Sequence, residues 1–316
     1  MTELVSILIP VYNRESIIAE TIQSALDQTH KNIEVVIVDN ASTDNSWQVI
    51  QNYAKQDSRI KAFKNESNLG PVRNWLRCVD EATGEYGKIL WSDDLISVDF
   101  VEKTLPLFNS DVGFVYSGAN IFTGANPLEA KTSYLLPKTG RYPCSMYIEK
   151  SIFGNGMPVS PGCAIFRMSD IRKNLWLQIP NKVNSDFSMH AIGNDLLLFL
   201  LTAKDYKYFG HIAEPLSFFR AHDGSISVSS NSGKLPLHYA MARAYFVENF
   251  STRLKSCFAS YIKLLLWRYK DSNAYGLNRV NNFFQNEVNV SKICLLKELI
   301  IKLIKLPIRV LKKMFN

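Results

Sequence analysis

The stretch VSILIPVYNRESIIAETIQSALDQTHKNIEVVIVD, residues 5–39, decides the fold of this 316-residue chain. It contains two apolar runs of strand length, 5–10 and 33–39, separated by a segment whose aliphatic residues recur at helical intervals. A strand, a helix and a second strand in this order form the unit from which parallel sheets are built. We therefore predict an α/β fold with a Rossmann-like, mostly parallel sheet flanked by helices.

The same alternation continues beyond this unit. Further strands are predicted at 59–63, 86–91, 111–117, 207–212 and 215–222, with helices at 70–82, 100–108 and 194–205. Asp99 and Glu102 have the spacing of a capping box for the helix at 100–108. We predict one domain over residues 1–230, divided into halves 1–117 and 118–230, and a helical extension over 235–316.

Composition favours an ordinary folded protein, since 47% of the residues are hydrophobic and 21% are charged. The five cysteines are scattered without a close pair, which favours a reducing cytosol. The N-terminal residues MTELVSILIP lack the basic region of a signal peptide, so we expect a cytoplasmic protein.

Positive charge is concentrated at the C-terminal end. From Phe250 onward there are 13 Lys and Arg against 3 acidic residues, a balance of 13 − 3 = +10, whereas the remainder sums to 7 − 10 = −3. This asymmetry argues against a nucleic-acid partner and for a basic segment with a partner of its own.

The last segment, 291–316, predicts a basic amphipathic helix. Its charged residues fall at steps of three and four, on one stripe of a helix covered elsewhere by Leu and Ile, and Pro307 should kink it. The stripe consists of Glu298, Lys302, Lys305, Arg309 and Lys312. Such a helix suits the plane of a membrane interface, so we expect peripheral association with the inner face of the cell membrane. The alternative is a terminal helix packed on the domain.

Polar residues follow four of the predicted strands, in YNRE (12–15), DNAST (39–43), NESNLG (65–70) and SDD (92–94). Ligands of open α/β sheets bind at the carboxyl ends of the strands, so these groups should converge on one crevice. The adjacent carboxylates Asp93 and Asp94 repel each other unless a cation relieves them. They are suited to Mg²⁺ or Mn²⁺, whose other ligands can be phosphate oxygens.

Several blocks resemble a known family. SILIPVYNRE (6–15), VIVDNASTDNS (36–46), NLGPVRN (68–74) and WSDD (91–94) occur in the order seen in the GT-A glycosyltransferases of family 2, and two later blocks at 194–200 and 216–227 are also similar. The resemblance covers about the first 220 residues. It implies a GT-A fold and inverting transfer of a sugar from a nucleoside-diphosphate sugar, with a UDP-sugar expected. The acceptor would be a hydroxyl of a saccharide or lipid-linked saccharide in bacterial surface polysaccharide synthesis.

The resemblance also implies roles for individual residues. Donor contacts would come from residues in the first 94 positions, with Tyr12 stacking on the base and Asp39 accepting from the base or ribose: Pro10, Tyr12, Glu15, Asp39, Asn68, Arg73 and Asp93. Asp93 and Asp94 would bind the metal together with His222, as in some relatives. Asp195 matches the catalytic base of the family. Trp91 stands where the family motif usually has a further acid, which puts one ribose contact in doubt.

Each of these residues also has an ordinary interpretation. Asp39 could simply end a strand, but Ser42, Thr43 and Asp44 already provide caps for the next helix and would leave it spare for a ligand. Asp195 could be a helix N-cap, His222 a surface histidine, and Arg73 a solvated helix residue. Two other functions stay open. A sugar nucleotidyltransferase would need a glycine-rich loop after the first strand, and PVYNRE has none. A binding domain that has lost catalysis would explain why Trp91 stands where the family motif usually has an acid.

Overall fold

The computed structural model describes residues 3–124, 130–222, 233–297 and 299–300. The chain divides into two compact units. The first comprises residues 1–179 and 186–229, and the second comprises residues 180–185 and 230–316.

The first unit is built on a single mixed sheet. Among the described residues its strands are β1 (Val5–Val11), β2 (Ile33–Asp39), β3 (Ile60–Lys64), β4 (Tyr86–Ile89), β5 (Leu95–Ile96), β6 (Val112–Phe122), β7 (Ala130–Ser133), β8 (Gly140–Pro143), β9 (Ala164–Arg167) and β10 (Tyr208–Arg220). Its α-helices are α1 (Ile18–Leu26), α2 (Ser46–Gln56), α3 (Pro71–Glu81), α4 (Phe100–Thr104), α5 (Cys144–Ile152), α6 (Met168–Asn174), α7 (Phe187–His190) and α8 (Asn194–Ala203). Short 3₁₀ turns lie at Leu105–Leu107 and Pro161–Cys163.

The strand order is β3-β2-β1-β4-β9-β6-β10-β5, with β7 beside β6 and β8 beside β10. The four strands from β3 to β4 are parallel, as are β6 and β10, whereas β9 is antiparallel to both of its neighbours. The predicted α/β fold with a mostly parallel sheet is confirmed. The parallel register aligns Val11 with Asp39, so the loops after β1 and β2 leave the sheet side by side.

Full burial explains why the first two strands read as continuous apolar runs. Every residue of β1 and β2 is buried, because helices cover both faces of a parallel sheet. Helix α1 contributes Ile18, Ile22 and Ala25 to the same core, at the spacing of one helical face.

Local expectations differ from the structure in two places. The two strands expected at 207–212 and 215–222 form the single strand β10, whose pairing with β6 shifts register near Pro215. The capping box at Asp99 does not form, since the Asp99 side chain bonds to the Ser97 hydroxyl at 2.5 Å and to Lys103 at 2.7 Å. Glu102 instead accepts from the Thr29 hydroxyl at 2.5 Å. Charged and hydroxyl partners nearby thus outcompete the helix N–H groups.

The second unit is helical in its described residues. It contains α9 (Lys234–Phe250), α10 (Lys255–Arg268), 3₁₀ turns at Thr252–Leu254, Lys270–Tyr275 and Val280–Phe283, and helical residues at 292–297 and 299–300. The expected polar stripe from Glu298 to Lys312 and the kink at Pro307 lie outside the described residues. Within the described part of the chain, no helix is long and apolar enough to cross a membrane.

Two cysteines of the second unit are paired, although they are far apart in sequence. Cys257 of α10 and Cys294 form a disulfide across 37 positions, whereas Cys78, Cys144 and Cys163 are free and buried. Structural disulfides persist mainly in oxidising compartments, so this pair does not support the reducing compartment that the cysteine spacing favoured.

Candidate active site

The loops after β1 and β2 are joined by reciprocal hydrogen bonds. The Asn13 N–H donates to the Ser42 hydroxyl oxygen at 2.9 Å, and the Thr43 N–H donates to Asn13 Oδ1 at 2.9 Å. Asn13 has a φ of 51°, a left-handed conformation that Asn tolerates better than most residues. These contacts fix the backbone where the sequence predicted the nucleotide site.

Asp39 lies at the end of β2, fully buried. Its carboxylate accepts the Ser42 N–H at 3.0 Å and also the Ser42 hydroxyl. Ser42 therefore bonds to Asp39 itself, so Asp39 is not left spare as the sequence predicted. The donor-binding role of Asp39 stays a prediction.

The other residues expected around the base differ in accessibility. Tyr12 has an exposed fraction of 41% and its ring is available to a ligand. Pro10 is buried within β1. Glu15 accepts the Asn45 N–H at 2.8 Å and the Asn45 side-chain amide at 2.9 Å, so it orders the start of α2.

Four asparagines, Asn40, Asn65, Asn68 and Asn74, form what we call the amide cluster at the ends of β2 and β3. The Asn65 amide donates to Asn40 Oδ1 and to Asn74 Oδ1, both at 2.9 Å, and Asn40 donates to Asn68 Oδ1 at 2.9 Å. Asn40, Asn65 and Asn74 are buried. The sequence had singled out Asn68 alone, because the pairing of buried amides depends on strands brought together by the fold.

Asp94 is a buried carboxylate held by the chain itself. One of its oxygens accepts the Arg220 N–H from the end of β10 at 2.9 Å, and its backbone carbonyl accepts the Thr21 hydroxyl at 3.0 Å. Burial, and then the neighbouring charge of Asp93, raise the pKa of Asp94 well above its usual value.

Asp93 is more accessible and lies beside an imidazole and two guanidinium groups. His222 Nε2 lies 2.8 Å from Asp93 Oδ2, and the Arg14 guanidinium lies 3.7 Å from the same oxygen. The Arg220 side chain donates to the Asp93 backbone carbonyl at 3.1 Å and pairs with Glu20 at 2.6 Å. The structure thus brings Asp93 and His222 together, and it adds Arg14 and Arg220, which sequence reasoning missed.

Lys88 is a fully buried lysine in β4. Its ammonium donates to the Gly162 carbonyl and, at 3.2 Å, to the Ile89 carbonyl, and it lies over the Phe100 ring at 4.7 Å. Burial lowers the pKa of Lys88 to about 7, while the charges of Cys163 and Asp94 act to raise it. A lysine inside an apolar run was the only sequence signal for this buried cation near Asp94.

Trp91 joins the loop after β4 to the turn at Pro161–Cys163. Its indole N–H donates to the Ser160 hydroxyl at 2.8 Å, and its ring lies 4.7 Å from the ring of Trp75. A side chain at Gly162 would meet Trp91 at 3.0 Å, so the turn and the indole fit closely. Trp91 therefore bridges these two loops.

Asp195 lies in the first turn of α8, with 7% of its surface exposed. Its Oδ1 accepts the Gly193 N–H at 3.0 Å and the Leu196 N–H at 2.8 Å, which fixes the carboxylate on the backbone of the GND turn. Burial, with smaller contributions from the charges of Cys163 and Asp195, raises the pKa of Tyr134 to about 12. Arg73 donates to the Ser188 hydroxyl at 3.0 Å.

The side chains at this edge of the sheet offer an incomplete set of ligands for a divalent cation. The described residues contain no group of three or more His, Cys, Asp or Glu that could hold a metal ion. They do place one carboxylate and one imidazole side by side, in Asp93 and His222. Oxygen and imidazole ligands suit Mn²⁺, and a diphosphate can complete such a partial set. The residues fit a metal that is held jointly with a substrate.

The family model for glycosyl transferase family 2 matches residues 6–175. The chain belongs to this family. Similarity over most of the length is found with a GalNAc(5)-diNAcBac-PP-undecaprenol beta-1,3-glucosyltransferase of Campylobacter jejuni, which is 24% identical over 279 residues, 85% of this chain and 84% of that protein. TuaG of Bacillus subtilis, named for teichuronic acid biosynthesis, is 35% identical over 37% of this chain and 47% of its own length.

Other similarities are confined to part of the chain or to the fold. The chain spans 41% of an uncharacterised glycosyltransferase of Haemophilus influenzae and 34% of GlyG of Streptococcus pneumoniae. Among solved structures, residues 1–349 of TarS from S. aureus in complex with UDP-GlcNAc superimpose with a TM-score of 0.63. That match has 17% identity and covers 87% of this chain and 76% of the other, so it shows a shared GT-A fold.

Proposed function

We propose that this family 2 glycosyltransferase transfers a sugar, with inversion, from a nucleoside-diphosphate sugar to a hydroxyl of a saccharide or lipid-linked saccharide. The pathway we propose is the synthesis of a bacterial surface polysaccharide. The observation that carries the proposal is the contact of Asp93 with His222 beside Arg14, at the sheet edge that also holds Asp39. The UDP-GlcNAc bound by TarS supports a UDP-sugar as the donor.

Cationic groups around Asp93 suit the diphosphate of such a donor. The Arg14 side chain is mostly buried, and its Nε has no hydrogen-bond partner within the described residues. The Arg14 side chain keeps 24% of its surface exposed, and a phosphate oxygen that contacts the exposed part of the guanidinium would form strong charge-assisted hydrogen bonds in a partly desolvated site. Tyr12, with its exposed ring, supports stacking on the base.

We propose Asp93 and His222 as the residues that hold Mn²⁺ or Mg²⁺, with Asp94 contributing if its second oxygen is used. Such an ion, when bound, stabilises negative charge on the departing nucleoside diphosphate. Asp94 already orders the end of β10 through the Arg220 N–H, so it also positions the chain that leads into His222.

Asp195 is proposed as the base that removes the proton from the acceptor hydroxyl. The N–H groups of Gly193 and Leu196 fix its orientation. A positioned general base contributes about 10²–10⁴ in rate. Attack on the face opposite the leaving group then inverts the anomeric centre.

The acceptor is proposed to be bound at the membrane surface. The basic C-terminal charge and the apolar composition of residues 291–316 support peripheral association with a membrane surface. The undecaprenol-linked substrate in the name of the Campylobacter jejuni relative supports a lipid-linked acceptor.

The test is turnover of a panel of nucleoside-diphosphate sugars, measured as released nucleoside diphosphate with Mn²⁺ present and after chelation. We expect one donor to be turned over, and we expect Asp93→Asn and Asp195→Asn each to lower kcat by about 10²-fold or more. Asp80→Asn, which alters an exposed carboxylate on α3, is the matched control.

Two results would contradict the proposal. Turnover unaffected by Asp93→Asn and Asp195→Asn would show that these carboxylates do not act in the reaction. Donor binding by calorimetry without turnover, whatever acceptor is supplied, would favour a binding domain that has lost catalysis.

A further inference from the structure

We propose that the second unit binds an anionic phospholipid bilayer through a surface formed by α10 and the terminal residues 292–297 and 299–300, with Trp267 as its interfacial anchor. We call this surface the docking face. The inference rests on the membrane association within the proposed function, but it assigns the contact to described residues and makes α10 part of it. It can be tested without sugar transfer.

The docking face carries the three most exposed large apolar side chains of the described residues, Ile293, Trp267 and Leu296, and also Ile300. Trp267 and Ile293 are 69% and 70% exposed, and Leu296 and Ile300 are 60% and 45% exposed. Trp267 is far more exposed than a tryptophan ordinarily is, given how much apolar area it leaves in water. Exposed apolar groups gathered in one part of a protein mark an interaction surface.

Helix geometry places Trp267 on the face of α10 where the terminal residues begin. Ser256, Ser260, Lys263 and Trp267 are spaced by four, three and four positions, so they lie on one stripe. The Ser291 N–H donates to the Ser256 carbonyl at 3.3 Å, and the Ser260 hydroxyl donates to the Ser291 carbonyl at 2.9 Å.

The terminal residues are further fixed to α10 by the disulfide between Cys257 and Cys294. The exposed Ile293, Leu296 and Ile300 are themselves spaced by three and four positions, which is the spacing of one helical face. Two helical segments that are covalently joined therefore both present apolar side chains to solvent.

Among the described residues, the charged side chains of the docking face are all positive. Helix α10 contains no acidic residue, and its exposed Lys263 and Arg268 are followed by the exposed Lys270. Lys292 and Lys297 are also exposed. Two acids adjoin these residues in sequence: Asp271, which accepts the Gly233 N–H at 3.1 Å, and Glu298, which lies outside the described residues.

Apolar groups among exposed cations fit an anionic lipid surface better than a protein partner of mixed charge. Tryptophan favours the headgroup level of a bilayer, where its ring is buried and its N–H stays hydrated. Each Lys or Arg near an anionic surface strengthens binding by about fivefold, and this attraction is screened within a Debye length.

The test is co-sedimentation of the full chain with vesicles of phosphatidylcholine alone or of phosphatidylcholine mixed with phosphatidylglycerol. We expect binding to the mixed vesicles, weakened by added salt. Trp267→Ser should weaken it about tenfold and Lys263→Gln about fivefold. Val98→Ser, at a residue of the first unit that is 51% exposed, is the control and should bind like wild type.

A second measurement locates the anchor. Trp267→Phe keeps an apolar ring, so vesicle binding should persist, but quenching of tryptophan fluorescence by brominated lipid should be lost. The chain has five tryptophans, and the other four are buried or half-buried. Equal binding to both vesicle types, equal binding by Trp267→Ser and Val98→Ser, or quenching that persists in Trp267→Phe would overturn the proposal.

Two further outcomes are decisive. If sedimentation velocity without vesicles shows a dimer that Trp267→Ser dissociates, the docking face is an interface between copies of the chain and the lipid proposal fails. Donor turnover with a soluble acceptor is measured on the same variants. Absence of donor turnover in the wild-type protein would refute the proposed function alone. Normal turnover without vesicle binding would refute the docking face alone.

Discussion

Glu34 and Asp94 are two carboxylates of one sheet with equal burial, each 5% exposed, and opposite surroundings. Glu34 lies at the amino end of β2. It accepts from the Ser6 hydroxyl at 2.5 Å, from the Thr83 N–H at 2.6 Å and hydroxyl at 2.8 Å, and it pairs with Lys61 at 2.5 Å. Asp94 lies beyond the carboxyl end of β4, beside Asp93, and accepts one backbone N–H from Arg220 at 2.9 Å.

Their pKa values move in opposite directions for this reason. Burial alone would raise the pKa of Glu34, but hydrogen bonds from Lys61, Ser6 and Thr83 lower it to about 2. The pKa of Asp94 is raised by burial and by the charge of Asp93. The amino edge of the sheet therefore holds a carboxylate that stabilises the fold, whereas the carboxyl edge holds two adjacent carboxylates that raise the free energy of one another's charged forms.

The largest effect is expected from removing the charge at the amino edge. Because the folded pKa of Glu34 lies below its unfolded value of 4.5, its contribution to stability is present above that value and is lost as the pH falls toward 2. Glu34→Gln should lower the free energy of unfolding at pH 7 by on the order of 3 kcal/mol, measured by urea denaturation.

The pH series makes this prediction specific. Wild type and Glu34→Gln should converge in stability as the pH falls from about 5 to about 2, because the wild-type carboxylate becomes protonated. Glu81→Gln is the matched control, since Glu81 forms a half-exposed pair with Arg77 at 3.6 Å. That change should cost less than about 0.5 kcal/mol. Similar stabilities of the two variants at pH 7 would remove the contrast between the sheet edges.

Sequence patterns predicted the parallel part of the fold well, because its strands are short apolar runs separated by amphipathic helices. They did not predict the insertion of antiparallel β9 between β4 and β6, or the continuity of β10 through Pro215. Strand order and bulges depend on contacts between distant segments, which local periodicity does not contain.

The sequence named candidate residues for the site, but it did not predict most of the groups that hydrogen-bond to them. Asp93 and His222 were both identified, and the structure brings them to 2.8 Å although they are 129 positions apart. The burial of Lys88 and the bridge from Trp91 to Ser160 were not predicted. Both depend on a turn that packs against β4 only in the folded chain.

The amide cluster shares a feature with each edge. It lies at the carboxyl edge, like Asp94, but its buried amides are hydrogen-bonded within the protein, as Glu34 is. Asn74 donates to the Val38 carbonyl at 3.0 Å and accepts from Asn65 at 2.9 Å. Asn74→Ala should lower the free energy of unfolding by about 1–3 kcal/mol, since it leaves buried polar groups without partners. The control is Asn52→Ala, at an exposed residue of α2. Equal stability of both variants would mean that water replaces the lost bonds.

The smallest effect is expected from removing the charge repulsion between Asp93 and Asp94. Asp93→Asn keeps a side chain that can hydrogen-bond to His222, but it removes the like charge that raises the pKa of Asp94. In chelator at pH 7, the free energy of unfolding should be unchanged or higher by up to about 1 kcal/mol, although donor turnover is lost. Denaturation of Asp93→Asn beside Asp80→Asn measures this. A loss of stability larger than about 1 kcal/mol would show that Asp93 stabilises the fold as Glu34 does, and the functional distinction between the two edges would then fail.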